Sequence, residues 1–118
     1  MDTMFIETLQ TKHLALWNER VPQKRLELIN TIYAGDVNMY DKDFILSGHD
    51  AITDFIGKLL SEDPQFYFSA AKPMQVTQNG VRFYWTIQTS GPLLTGMDFF
   101  IIENNKVKAL YVFMDQAV

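Results

Sequence analysis

Asp98 stands inside an apolar run, between Met97 and Phe99 in a strand candidate over 96–103. An ionisable group there is either an accident of a strand end or the polar centre of a pocket. Kept protonated by Met97, Phe99 and Phe100, its carboxyl can donate a hydrogen bond. Paired with Arg82, on a strand that could neighbour its own, it stays ionised and anchors a polar ligand. Asp41 is the second carboxylate of interest. It falls in Asp41-Lys42-Asp43, which interrupts the alternating stretch 36–46. That places it at a strand end or bend, where side chains reach a cavity mouth.

Around these two, Trp17 can pack in the core or offer its indole N–H to a ligand. Tyr33, Tyr84 and Tyr111 are candidates for a cavity lining, and strand phase alone does not choose among them. His13 lies on or beside an apolar helical stripe, the position of a histidine at the edge of a core. His49 opens a helix, where a positive imidazolium is disfavoured, and reads as an exposed turn residue. Two distant histidines and no cysteine make a poor metal set. No glycine-rich phosphate loop occurs. Neither metal nor cofactor is expected.

The elements that position these residues come from periodicity. Phe5, Ile6, Leu9, His13, Leu16 and Trp17 define a first helix over 3–19, capped by Asp2 or Thr3. Pro22 opens a second that runs to about 33 and stops at Gly35. Ser47 and Asp50 have the spacing of a variant capping box for a third, which ends before Pro64. Strands are expected over 66–71, 74–78, 81–89, 96–103 and 107–114. Asn79-Gly80 predicts a type I′ hairpin turn, and Glu103-Asn104-Asn105-Lys106 a second hairpin. Strands this late and consecutive mean an antiparallel meander, so the class is α+β.

The chain of 118 residues, 13.7 kDa, is expected to form one domain, 1–118. A net charge of −4 with only ten scattered Lys and Arg offers no stripe for nucleic acid and no polybasic patch for a membrane. The start MDTMFIETLQ lacks the positive region of a signal peptide, and no run of apolar residues is long enough to span a bilayer, so the expected location is cytoplasmic. On the strand over 107–114, Val107, Ala109, Tyr111 and Phe113 form one face, and Lys108, Leu110, Val112 and Met114 the other. Both are mostly apolar. Three helices cover one face of a sheet, so the other is expected to meet a second copy in a homodimer.

The ordered series resembles the NTF2-like superfamily, the cone fold of ketosteroid isomerase, scytalone dehydratase and the SnoaL-like polyketide cyclases, and it looks nearest to the SnoaL-like branch. The resemblance spans nearly the whole chain. It rests on Trp17-Asn18-Glu19, Arg25, Tyr33-Ala34-Gly35-Asp36-Val37, Tyr40-Asp41, Gly48-His49-Asp50-Ala51-Ile52, Arg82-Phe83-Tyr84-Trp85 and Gly96-Met97-Asp98-Phe99. It implies three N-terminal helices on a curved antiparallel sheet around a pocket for a small apolar or carbonyl-containing molecule. Asp41 takes the place of the isomerase base, Asp98 that of the acid that donates to the oxyanion, and Trp17 that of the oxyanion tyrosine. Such a pair implies a cofactor-free isomerase, cyclase or lyase. Lys42 stands where the isomerases have proline. The dehydratase branch uses a His-Asp pair, and here no histidine follows His49. The epoxide-hydrolase signature is broken, because Tyr84 stands two residues after Arg82 where an aspartate belongs. The same fold also serves as a non-catalytic carrier or a protein-interaction module.

Overall fold

The computed structural model describes residues 3–115. Asp2, one of the two expected caps of the first helix, lies outside the described residues. Three helices and six strands follow in the order α1 (Thr3–Asn18), α2 (Pro22–Ile32), β1 (Tyr33–Tyr40), β2 (Ile45–Ser47), α3 (Gly48–Glu62), β3 (Tyr67–Thr77), β4 (Gly80–Gln88), β5 (Leu94–Glu103) and β6 (Lys106–Met114). This is the expected α+β arrangement, with one curved, unclosed sheet beneath the helices.

The helices are held by what they bury. Leu9, Leu16, Ile29, Ile32, Ile52 and Ile56 are fully buried in one cluster with Val81, Phe83, Trp85, Phe100 and Leu110 of the sheet. Each such aliphatic side chain contributes roughly 1.5–3 kcal/mol of transfer free energy. Side-chain caps, worth about 1 kcal/mol each, are missing from α2 and α3. Ser47 occupies the cap position of α3, but its hydroxyl donates to Asn38 Oδ1 (2.6 Å) instead, so the expected capping box does not form. Gly35 does not end α2. The chain turns extended at Tyr33, and Gly35 lies within β1.

The sheet order is β2-β1-β6-β5-β4-β3. It is mixed, not purely antiparallel as expected, because β1 and β6 run parallel. The chain between them, through β2, α3 and the meander, supplies the crossover that a parallel pair requires. The two strands expected over 66–78 merge into β3, an edge strand whose register shifts between Ala70 and Gln75 accommodate Pro73.

Both hairpins depart instructively from their turn signals. Thr77 pairs with Gly80, which makes Gln78 and Asn79 the central residues, and Gln78 has φ +53°. Gly80 serves close packing: a Cβ there would lie 2.7 Å from Cζ of Phe99. The two positive φ values of a type I′ turn occur instead at Asn104 (+52°) and Asn105 (+58°). A register shift between Ile101 and Ile102 then changes the phase of β6. Val107 is buried with Leu110, while Tyr111 and Phe113 face outward, so the expected face of Val107, Ala109, Tyr111 and Phe113 is split.

Gly96 is the tightest point of the sheet. It pairs with Trp85, and a Cβ on it would lie 2.4 Å from the carbonyl oxygen of Phe113 and 2.4 Å from Cζ2 of Trp85. We expect Gly96→Ala to lower stability by roughly 1–3 kcal/mol, the usual cost of overpacking. Gly35→Ala meets nothing within 4 Å and serves as the control. Equal urea midpoints for the two variants would show that the sheet can open at Gly96 without strain.

Candidate functional site

Helix α1 places His13 and Trp17 one turn apart on its buried face. Tyr33, the first residue of β1, comes up beside them. Trp17 Nε1 donates to the Tyr33 hydroxyl (3.0 Å), which lies 2.8 Å from Nδ1 of His13. His13 Nε2 is 3.2 Å from Oδ2 of Asp98 on β5, and Trp85 Nε1 of β4 donates to Oδ1 (2.9 Å). All five side chains are buried, His13 completely and Asp98 to within 3%. Phe83 and Phe100 meet the imidazole edge-on at 5.3 and 4.9 Å between ring centres.

The directions of these bonds follow from the two indoles, which can only donate. Trp17 gives its proton to the Tyr33 oxygen, so Tyr33 gives its own to His13 Nδ1. That leaves the imidazole proton on Nε2, aimed at Asp98. Asp98 therefore accepts at both oxygens, from His13 and from Trp85. In this arrangement every N–H and O–H of the bonded chain has an acceptor. Burial, above all, and the charge of Asp98 push the Tyr33 hydroxyl well above its ordinary pKa, against the opposing bond from Trp17. Tyr33 stays a proton donor.

One side of this chain opens on a cavity of about 140 Å³ inside the cone. Its wall includes Trp17, Asp41 and Asp98, so the fold brings three of the expected site residues to one space. The rest of the wall is apolar, with Trp85, Phe55, Phe66 and Phe68 supplying further rings. Phe66 is set by Arg20, whose guanidinium donates to the carbonyls of Leu60, Asp63, Pro64 and Phe66 and so straps the turn after α1 to the end of α3. Asp41 is half-buried on the wall, its amide donating to Phe44 O (2.9 Å).

The other expected residues lie elsewhere. Tyr33 sits behind the cavity, inside the hydrogen-bonded chain. Arg82 and Tyr84 alternate with the inward Phe83 and Trp85, and so project from the outer face. The suggested pairing of Arg82 with Asp98 therefore does not occur: the two strands place Asp98 opposite Phe83. Lys72 Nζ lies 4.0 Å from the centre of the Tyr84 ring, on that outer side. Tyr111 stacks on Tyr40 (4.6 Å, 15°), also outside. His13 is the residue that sequence reasoning underrated. Its signal was a polar group on a buried stripe, which requires a buried partner, just as Asp98 does. A His-Asp pair is present after all, with the histidine on a helix and not on a strand. His49 is no exposed turn residue: its Nε2 donates to the carbonyls of Tyr33 (2.9 Å) and Ala34 (3.0 Å) and holds the start of β1. Among the described residues, no group of His, Asp and Glu is placed to hold a metal ion.

Comparison with known proteins bears on the frame that carries this site. No protein-family model matches the chain. No curated protein matches it either. Solved structures do. A candidate isomerase of the SnoaL-like family from Agrobacterium tumefaciens superimposes with a TM-score of 0.86 at 20% identity, over 97% of this chain and all of that one. A protein of ketosteroid isomerase-like fold from Catenulispora acidiphila, in complex with trimethylamine, gives 0.73 at 11% identity, covering 96% and 86%. A de novo designed protein with a curved β-sheet gives 0.77 at 17% identity, covering 98% and 88%. The chain shares the α+β cone fold of these structures.

The proton assignment can be read directly. In a long-range nitrogen–proton NMR spectrum, His13 Nε2 should show the shift of a protonated ring nitrogen and Nδ1 that of an unprotonated one. The opposite pattern would reverse the two bonds that His13 makes, to Tyr33 and to Asp98. His13→Leu strips Asp98 of one donor and Tyr33 of its acceptor, so a loss on the order of 1–3 kcal/mol is expected by urea titration.

Proposed function

We propose that the protein binds a small molecule with an apolar body in the cone cavity and catalyses a cofactor-free proton transfer on it, the reaction class of isomerases, cyclases and lyases. The observation that supports this is the Asp98 carboxylate, fixed by two N–H donors on the wall of an otherwise apolar cavity that Asp41 also lines. A general base needs a defined position and a free electron pair within reach of a bound C–H. His13 and Trp85 give Asp98 the position. Asp98 is then the group that takes the proton, in place of the neutral donor first expected there. Asp41, half-buried on the wall, is the carboxylate that exchanges protons with water. The volume also limits the substrate: an engineered cavity of about 150 Å³ takes up benzene, so a molecule of single-ring size fits.

A carrier would use the same cavity without the base, and one experiment separates the two. In deuterium oxide, the protein should speed hydrogen exchange next to the carbonyl of small ketones, both neutral and amine-bearing, as followed by proton NMR. Asp98→Asn should lower that rate by about 10²–10⁴-fold, the usual contribution of a positioned base. Binding of the ketones without any exchange would make the protein a carrier.

We also infer that the outer sheet face pairs with a second copy of the chain. Tyr84, Met97, Phe99, Tyr111 and Phe113 form its uncharged centre, with Phe113 55% exposed. An exposed apolar patch, here with Arg82 and Lys72 beside Tyr84, can bury itself against its own copy across a two-fold axis. Light scattering should give twice the chain mass for the parent and the single mass for Phe113→Asp. A parent that stays single at high concentration would rule the pairing out.

A further inference from the structure

We propose that the cavity selects a small organic cation, a methylated ammonium group carried by the ligand. The proposal rests on the cavity reading above and names the ligand class of that same space. Three features of the wall lead to it.

The first is acidity. Asp98 accepts from Trp85 Nε1 and lies 3.2 Å from His13 Nε2. Among the described residues, no Lys or Arg lines the cavity. Asp41 adds a second carboxyl group to the wall, its Oδ1 accepting from the amide of Asp43. Negative charge in an apolar space is costly until a cation meets it.

The second is the arrangement of rings. Trp17 meets Phe55 at 73° and Phe68 at 56°, and Phe68 meets Trp85 at 61°. With Phe66 these rings share the cavity wall with Asp98 and Asp41. The negative face of an aromatic ring attracts a cation, and aromatic cages recognise methylated ammonium groups.

The third is the mismatch with other cations. A metal ion demands several oxygen ligands, and the wall supplies two carboxylates, one already bonded at both oxygens. A bare ammonium needs hydrogen-bond acceptors to replace its water. A methylated ammonium is large, weakly hydrated and greasy at its surface. It is the cation that a wall of rings with a carboxylate behind it can desolvate, and its size is close to that of the benzene that a space of about 150 Å³ admits.

The chain has two tryptophans, Trp17 and Trp85, and both line the cavity. Their indole N–H signals in an NMR spectrum therefore report its occupancy without background. The protein is titrated with tetramethylammonium chloride, with tert-butanol as the neutral probe of similar shape, and with sodium chloride at matched ionic strength. Tetramethylammonium should move both indole signals saturably and bind at least tenfold more tightly than tert-butanol, and sodium chloride should move neither. Asp98→Asn should weaken the cation at least tenfold and leave tert-butanol unchanged. Asp41→Asn, which leaves the buried chain intact, should weaken the cation by a smaller factor. If tert-butanol binds as tightly as the cation, the cavity stands and the cation proposal falls. If neither probe moves the indoles, the cavity reading fails with it.

Discussion

A carboxylate buried to within 3% is the constraint on which the rest of this structure depends. Left without donors, such a group costs several kcal/mol. Asp98 finds two, and each makes its own demand on the fold. Trp85 can lay its indole over the neighbouring strand only because Gly96 has no side chain. His13 can reach across only if α1 lies over β5 with that helical position turned inward. His13 then needs a donor for its other nitrogen, which Tyr33 supplies, and Tyr33 needs one for its oxygen, which Trp17 supplies. The chain of bonds ends at an indole on either side, so no buried group along it is left over. Even the start of β1 is held to this purpose, by His49 on the Tyr33 carbonyl.

That closure explains why helix caps matter little here. Two of the three helices begin without a side-chain cap. Their placement is fixed by apolar stripes against the sheet and, for α1, by two polar side chains whose partners lie in the strands. The outer face answers to a different requirement. Its residues alternate with the inner ones along β4 and β5, and a single register shift decides which residues of β6 join them.

Much of this was legible in the sequence, and the failures have physical causes. The α+β order and strand positions followed from periodicity and turn residues. Asp98, Asp41 and Trp17 were recognisable as a set, and they do share one cavity. Arg82, Tyr84 and Tyr111 were misplaced because a strand pattern gives alternation without saying which phase faces inward, and both faces here are apolar. The β6 shift cannot be read from composition at all. The Asn79-Gly80 signal found the right hairpin but the wrong residues, because Gly80 is required for contact with Phe99 and not for a positive φ. His13 carries no signal when taken alone. Two polar residues, each improbable on its own apolar element, are less improbable as partners.

The frame itself decides little about function, since a designed protein adopts it at a TM-score of 0.77. What calls for explanation is the polar chain inside it. Replacing a buried charged group and its partners by well-packed apolar residues is often neutral or stabilising, so stability alone does not require His13, Tyr33 and Asp98 at the centre of this core. Nor does solubility, since none of them meets bulk water. Three members of the polar chain, Trp17, Asp98 and Trp85, line the cavity, and His13 and Tyr33 lie behind them. The Asp98 carboxyl group is fixed between His13 and Trp85, on a wall that Asp41 shares with aromatic and aliphatic side chains, and that is the chemistry this protein adds to the frame.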